Sequence, residues 1–140
     1  MNYCYNYGLL IYDYHYSLEQ PFPYVNVGDY IQSLAALQYL PKYCIPILIE
    51  RDTFQYYHGP KVKLIVNGWF KIKEGNKFTS EQIIPLYLSF HVNYNYTDQR
   101  LIEHLKEFQP IGCRDKNTLK NLLNIFFHWA QKTKIMIHFP

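Results

Sequence analysis

Short apolar runs punctuate the chain, and their spacing sets the reading. "YGLLIYDY" at 7–14 is a brief aliphatic and aromatic run, which predicts a short buried strand. A loop rich in proline and tyrosine follows, and then "NVGDYIQSLAALQYLP" at 26–41. There, helical spacing puts Ile31, Leu34, Ala35 and Gln38 on one face of a helix from Asp29 to Leu40, which Pro41 ends. "CIPILIERD" at 44–52 predicts a second strand, weakened at its start by Pro46. "VKLIVNGWF" at 62–70 is the clearest strand, with a break at Asn67-Gly68. The polar "KEGNKFTSEQ" reads as a loop before a further strand, "IIPLYLSFHV" at 83–92.

The second half is helical in period. "TDQRLIEHLKEFQ" at 97–109 places Leu101, Ile102, Leu105 and Phe108 on one face, with Thr97 or Asp98 as cap. "PIGCRD" at 110–115 predicts a short strand starting at a proline. "KNTLKNLLNIFF" at 116–127 predicts a helix with Leu119, Leu122, Leu123 and Phe126 on one side, and "KIMIHF" in the tail a last strand. Strands alternating with crossover-length connections imply an α/β layered fold with a mostly parallel sheet.

Composition narrows the class. The 140 residues suit one core, and 49% hydrophobic content excludes disorder by composition. Fifteen tyrosines suit wet rims and sugar stacking, and equally an ordinary surface. A net charge of +3, without a long basic run, is no nucleic-acid footprint. Cys4, Cys44 and Cys113 stand far apart, which argues against a zinc knuckle or disulfide scaffold and for reduced thiols in a cytoplasmic protein. The N-terminus lacks the pattern of a signal peptide, and no apolar run is long enough to span a bilayer.

Candidate chemistry follows from the fold, because open parallel sheets bind ligands beyond the carboxyl ends of their strands. Those ends carry Asn26-Val27-Gly28-Asp29, then Glu50, Arg51 and Asp52, then Asn67, Gly68 and Trp69, then Ser89, Phe90 and His91, then Arg114 and Asp115. Asn26 to Asp29 offers a helix N-terminus that favours anions, or a plain cap in which Asp29 serves its own helix. Asp115 is positioned to cap the next helix, with Thr118 three residues on, and Arg114 to hold an anion or pair with a carboxylate. His91 ends an apolar strand, as structural histidines often do, and His58 sits in a turn without a partner signal. HExxH, GxSxG and paired metal spacings are absent from the sequence, leaving hydrolase and metalloenzyme readings unsupported.

In order, "NVGDYIQSLAALQYLP", "IERD", "VNGWF", "PLYLSFHV" and "PIGCRDKNTLKNL" resemble the N-terminal half of bacterial polysaccharide pyruvyl transferases, from about Tyr7 to Leu123. The resemblance implies Rossmann-like halves of a glycosyltransferase-B-like fold around a cleft. It also implies transfer of the enolpyruvyl group of phosphoenolpyruvate to a sugar hydroxyl as a pyruvate ketal, with no cofactor or metal. It makes Asp29 the candidate to orient or deprotonate a sugar hydroxyl, and Asn26 and Gly28 the floor of the acceptor side. Arg114 and Asp115 become cleft-edge candidates, and Asn67, Gly68 and His91 further substrate-binding ones. Members of the family are longer, and their donor-binding groups would lie mainly in a second domain. Residues 1–123 are therefore expected to form the N-terminal domain, and 124–140 a divergent tail, truncated or frameshifted. The expected partners are a sugar or polysaccharide-precursor acceptor and a chain that supplies the missing domain. A non-catalytic sugar-binding or interaction module, and a fragment of a sugar-nucleotide glycosyltransferase, remain the alternatives.

Overall fold

The computed structural model describes residues 6–12, 27–70, 78–92 and 99–133. In chain order they form β1 (Asn6–Ile11), α1 (Val27–Leu37), β2 (Ile47–Glu50), a single 3₁₀ turn (Phe54–Tyr56), β3 (Val62–Phe70), β4 (Ile83–Val92), α2 (Gln99–Glu107) and α3 (Lys116–Thr133). The four strands make one sheet in the order β2-β1-β3-β4, and every pairing is parallel. This is the expected α/β architecture, with three flanking helices. Asn26, Cys4, the caps at Thr97 and Asp98, and "KIMIHF" lie outside the described residues.

Alternation along the strands divides the sheet into two faces. Leu10, Val62, Leu64, Val66, Phe70, Tyr87 and Phe90 point to one face and pack with Leu101, Ile102 and Leu105 of α2 and Leu122 and Ile125 of α3. The interior of this face is aromatic: Phe54, Phe70, Phe78, Tyr87 and Phe90 stack or meet edge to face at centroid distances of 5.1–6.0 Å. The apolar stripe of α2 is used as its period predicts.

The other face carries α1, and here the sequence expectation needs correction. α1 starts at Val27 and stops at Leu37, and it buries Asp29, Ser33 and Ala36. Ile31 and Leu34 of the expected apolar face are 59% and 60% exposed, and Ala35 and Gln38 are exposed too. The cause is close approach. The side-chain amide of Asn67 donates to the Gln32 carbonyl at 2.8 Å, and Gly68, at φ 120°, lets the Gln32 side chain lie against it, where a Cβ would stand 2.6 Å from Gln32 Oε1. A helix drawn this near a strand must present short residues, so the bulky ones turn outward.

Four smaller differences are local. The strand expected at 7–14 ends at Ile11, and that expected at 44–52 begins only after Pro46, which has no N–H for a ladder. "PIGCRD" forms an isolated parallel bridge, Cys113 beside Phe90, rather than a strand. Backbone bonds from Phe90 N–H to the Gly112 carbonyl (2.8 Å) and from Arg114 N–H to the Phe90 carbonyl (2.9 Å) hold it against β4. The helix expected at 116–127 continues to Thr133. Within it Phe126 packs against the core while Phe127 is exposed, as are Leu119 and Leu123 of the expected apolar side.

Candidate functional site

The chain leaves β1 towards β2 on one side and later returns past β1 to β3 on the other, so the order reverses between β1 and β3. Beyond the carboxyl ends of those two strands lies the crevice such sheets use for ligands. Tyr12 follows β1 there, the first turn of α1 brings Asp29, and Arg51 follows β2. Arg51 joins them. Its guanidinium lies over the Tyr12 ring, 3.7 Å from the centroid, and its Nη1 donates to the Tyr12 hydroxyl and, at 3.2 Å, to the Trp69 carbonyl. Nη1 is also 3.7 Å from Asp29 Oδ1, and Nε bonds Asp52 Oδ1 at 2.9 Å. Burial lowers the Arg51 pKa, and Asp52 opposes that shift; the guanidinium remains charged. Glu50 adds a third carboxylate nearby by accepting the Asp52 N–H at 3.3 Å. The crevice is thus an arginine enclosed by acids.

Asp29 sits in the first turn of α1 rather than before it, where its charge favours the helix dipole. Gly28 is exposed beside it. Asn67 and Gly68 are spent on docking α1. Gln32 Oε1, wedged against Gly68, is buried without a hydrogen-bond partner among the described residues.

A second cluster lies farther along the same edge. β3 and β4 lose register between Val66 and Gly68: Val66 pairs with Tyr87, but Gly68 pairs with Phe90. Leu88 and Ser89 therefore both oppose Asn67, and Ser89 takes the left-handed conformation, φ 54°. The extra residue lets Tyr87 and Phe90 both enter the core and sends His91 to the α1 side, level with Trp69. There His91 Nδ1 lies 2.6 Å from Asp115 Oδ2. Asp115 caps α3, as its spacing to Thr118 predicts, accepting the Thr118 N–H at 2.9 Å and the Thr118 hydroxyl at 2.8 Å. The two Thr118 bonds, then His91, lower the Asp115 pKa to about 2. Arg114 is exposed at this end.

His58 is exposed in the turn before β3, away from this edge, and Cys113 is a half-buried thiol whose pKa burial raises. Among the described residues no group of His, Cys, Asp and Glu could hold a metal ion, and no helix is long and apolar enough to cross a membrane. Sequence reasoning missed Tyr12 and Gln32 and left Arg51 only as a strand end. The order β2-β1-β3 would have pointed to Tyr12 and Arg51, and the short-residue stripe Asp29, Ser33, Ala36 to the face holding Gln32.

A family model for polysaccharide pyruvyl transferase matches residues 26–134 of the 140-residue chain. The match begins later than Tyr7 and runs past Leu123, so it takes in every described element except β1. Comparison with curated proteins and with solved structures found no match. The family match spans well over half the chain and includes α1, Arg51, the β4 bulge and the His91–Asp115 pair, and the chain belongs to the polysaccharide pyruvyl transferase family.

Proposed function

We propose that the described elements form the acceptor side of a pyruvyl transferase cleft, completed by a donor-holding domain. Family membership supports the reaction: the enolpyruvyl group of phosphoenolpyruvate moves to a sugar, and a pyruvate ketal and phosphate result. Two sugar hydroxyls give up protons. One proton ends on the methylene carbon, which becomes a methyl group, and the other ends on phosphate, so no oxidant and no net water enter.

The observation that carries the acceptor assignment is the charge at the crevice. Asp29 and Asp52 match Arg51, and Glu50 adds further negative charge. A trianionic donor is repelled there, whereas a neutral sugar finds carboxylate acceptors and, in Trp69, aromatic surface. Asp29 orients a hydroxyl, with Gly28 on the cleft floor beside it. Arg114 and Asp115 border the cleft towards the donor, with His91, Asn67 and Gly68 between. The exposed apolar residues Val27, Ile31 and Leu34 of α1 favour a partner domain over a self-sufficient binding module.

Thermal unfolding of the chain with methyl β-D-glucopyranoside, methyl β-D-galactopyranoside and phosphoenolpyruvate tests this. A sugar is expected to raise the melting temperature, and Asp29→Asn to abolish the rise. A rise with phosphoenolpyruvate alone would overturn the acceptor assignment.

A further inference from the structure

An acceptor half needs a group to hold the proton that a sugar hydroxyl releases, and Asp29 is poorly suited to it. Its carboxylate is matched to the Arg51 guanidinium at 3.7 Å, so protonation would remove part of the compensation of a largely buried cation. The second cluster has the required chemistry. Thr118 gives Asp115 two hydrogen bonds that hold it as a carboxylate, and a carboxylate only accepts. His91 Nδ1 must then be the protonated nitrogen of the neutral ring, which leaves the lone pair on Nε2. Nε2 makes no hydrogen bond among the described residues. The side chain is 31% exposed, on the α1 side of the sheet and level with Trp69, whose carbonyl Arg51 reaches.

We propose that His91 is the proton-transfer residue of this half-cleft, taking the proton of an acceptor hydroxyl on Nε2, and that Asp115 is its positioning residue. The assignment rests on the acceptor-side reading above. As the hydroxyl O–H bond breaks, the oxygen's electron pair forms the bond to C2 of the enolpyruvyl group, and the proton moves to Nε2. The methylene carbon takes its own proton from an acid on the donor side. Asp115 balances the imidazolium. Phosphate then departs with the C–O bond pair and accepts that proton, which restores neutral His91; the second sugar hydroxyl closes the ketal at C2, and its proton returns to the donor-side acid.

A purely structural pair would tie β4 to α3 without activating Nε2, and acylation by diethyl pyrocarbonate separates the two roles. The intact chain is treated at neutral pH, and each histidine is followed by peptide mass spectrometry. His91 is expected to react at least tenfold faster than exposed His58. Asp115→Asn, which keeps an oxygen for the Thr118 N–H, is expected to bring His91 to the His58 rate, and Asp115→Glu to restore part of the difference. Wild-type His91 reacting no faster than His58 overturns the proposal, even if the variants fail to fold. A sugar that raises the melting temperature is expected to slow His91 acylation. If the melting temperature rises and the rate does not change, the His91 assignment fails while sugar binding stands. If no sugar shifts melting, the acceptor reading fails, and this role for His91 with it, whatever the intrinsic reactivity of the imidazole.

Discussion

The two faces of the sheet are built by opposite rules. One is closed by α2, α3 and the 3₁₀ turn around an aromatic interior in which Tyr87, Phe90, Val62 and Val66 are fully buried. The other holds α1 by an Asn67–Gln32 bond, a glycine contact and the Asp29–Arg51 pair, and α1 keeps its large apolar residues outside. Apolar burial is concentrated on the first face, and α1 is held on the second by polar and charged pairs. A helix anchored by backbone proximity and polar pairs can present charged groups to a cleft; one anchored by an aliphatic stripe must turn its polar residues away from the sheet.

The sharpest way to break this contrast is to hollow out the aromatic face. Phe90→Ala should cost about 3–5 kcal/mol, a large part of the stability of a domain this size, as measured by urea unfolding. If it costs under 1 kcal/mol, the core is not where stability lies. On the opposite face, Gly68→Ala combines a φ of 120° with a Cβ 2.6 Å from Gln32 Oε1. Its expected cost is about 1–3 kcal/mol, with hydrogen exchange rising in α1 before α2. Equal exchange in both helices would show that the faces are not independently anchored.

Those two expectations also mark what was legible in the sequence. β3 and α2 could be read because a single buried face imprints its period on the residues. α1 could not, because its partners are the Asn67 side-chain amide and the bare Gly68, and a requirement for short side chains looks in sequence like a weak polar face. Its leucines then suggested the wrong side. Arg51 and Tyr12 meet across 39 positions of sequence, and only the reversal of strand order brings them together. Asp115 and Thr118 are local, so that cap was readable; its bond to His91 depends on a bulge that leaves no clear sequence mark.

Acid distinguishes the faces more gently. In the aromatic interior, burial lowers the His104 pKa to about 4, and Nε2 lies 2.6 Å from the Tyr87 hydroxyl. The unfolded chain binds that proton near pH 6.5, so folded stability should fall as pH drops from about 6.5 to about 4 and then cease to change on this account. His104→Phe should flatten that part of a melting-temperature profile. Asp115, with its pKa lowered to about 2, works in a lower window: its contribution is intact above about pH 4 and is lost as pH falls towards 2. Asp115→Asn should remove only that lower slope. An unchanged profile in either variant would assign the acid sensitivity elsewhere.

The smallest effect should come from the residues that look most important in a helical projection. Leu34→Ser on exposed α1 should change stability by no more than about 0.5 kcal/mol, whereas Leu105→Ser in α2 should cost several times as much in the same urea titration. A large loss at Leu34 would mean that the outer side of α1 is covered after all.

The one-residue offset at Ser89 is slack in the strand, absorbed without a change of face on either side of it. Side chains along β4 are sorted by odd and even position, and Ser89 resets that parity two residues before His91. Deleting the Ser89 codon would leave Leu88 alone opposite Asn67, with the phenyl ring of Phe90 still inward and the imidazole of His91 still outward. In evolutionary terms, one codon gained or lost here leaves the histidine on its face and alters only the local bend and twist that aim it.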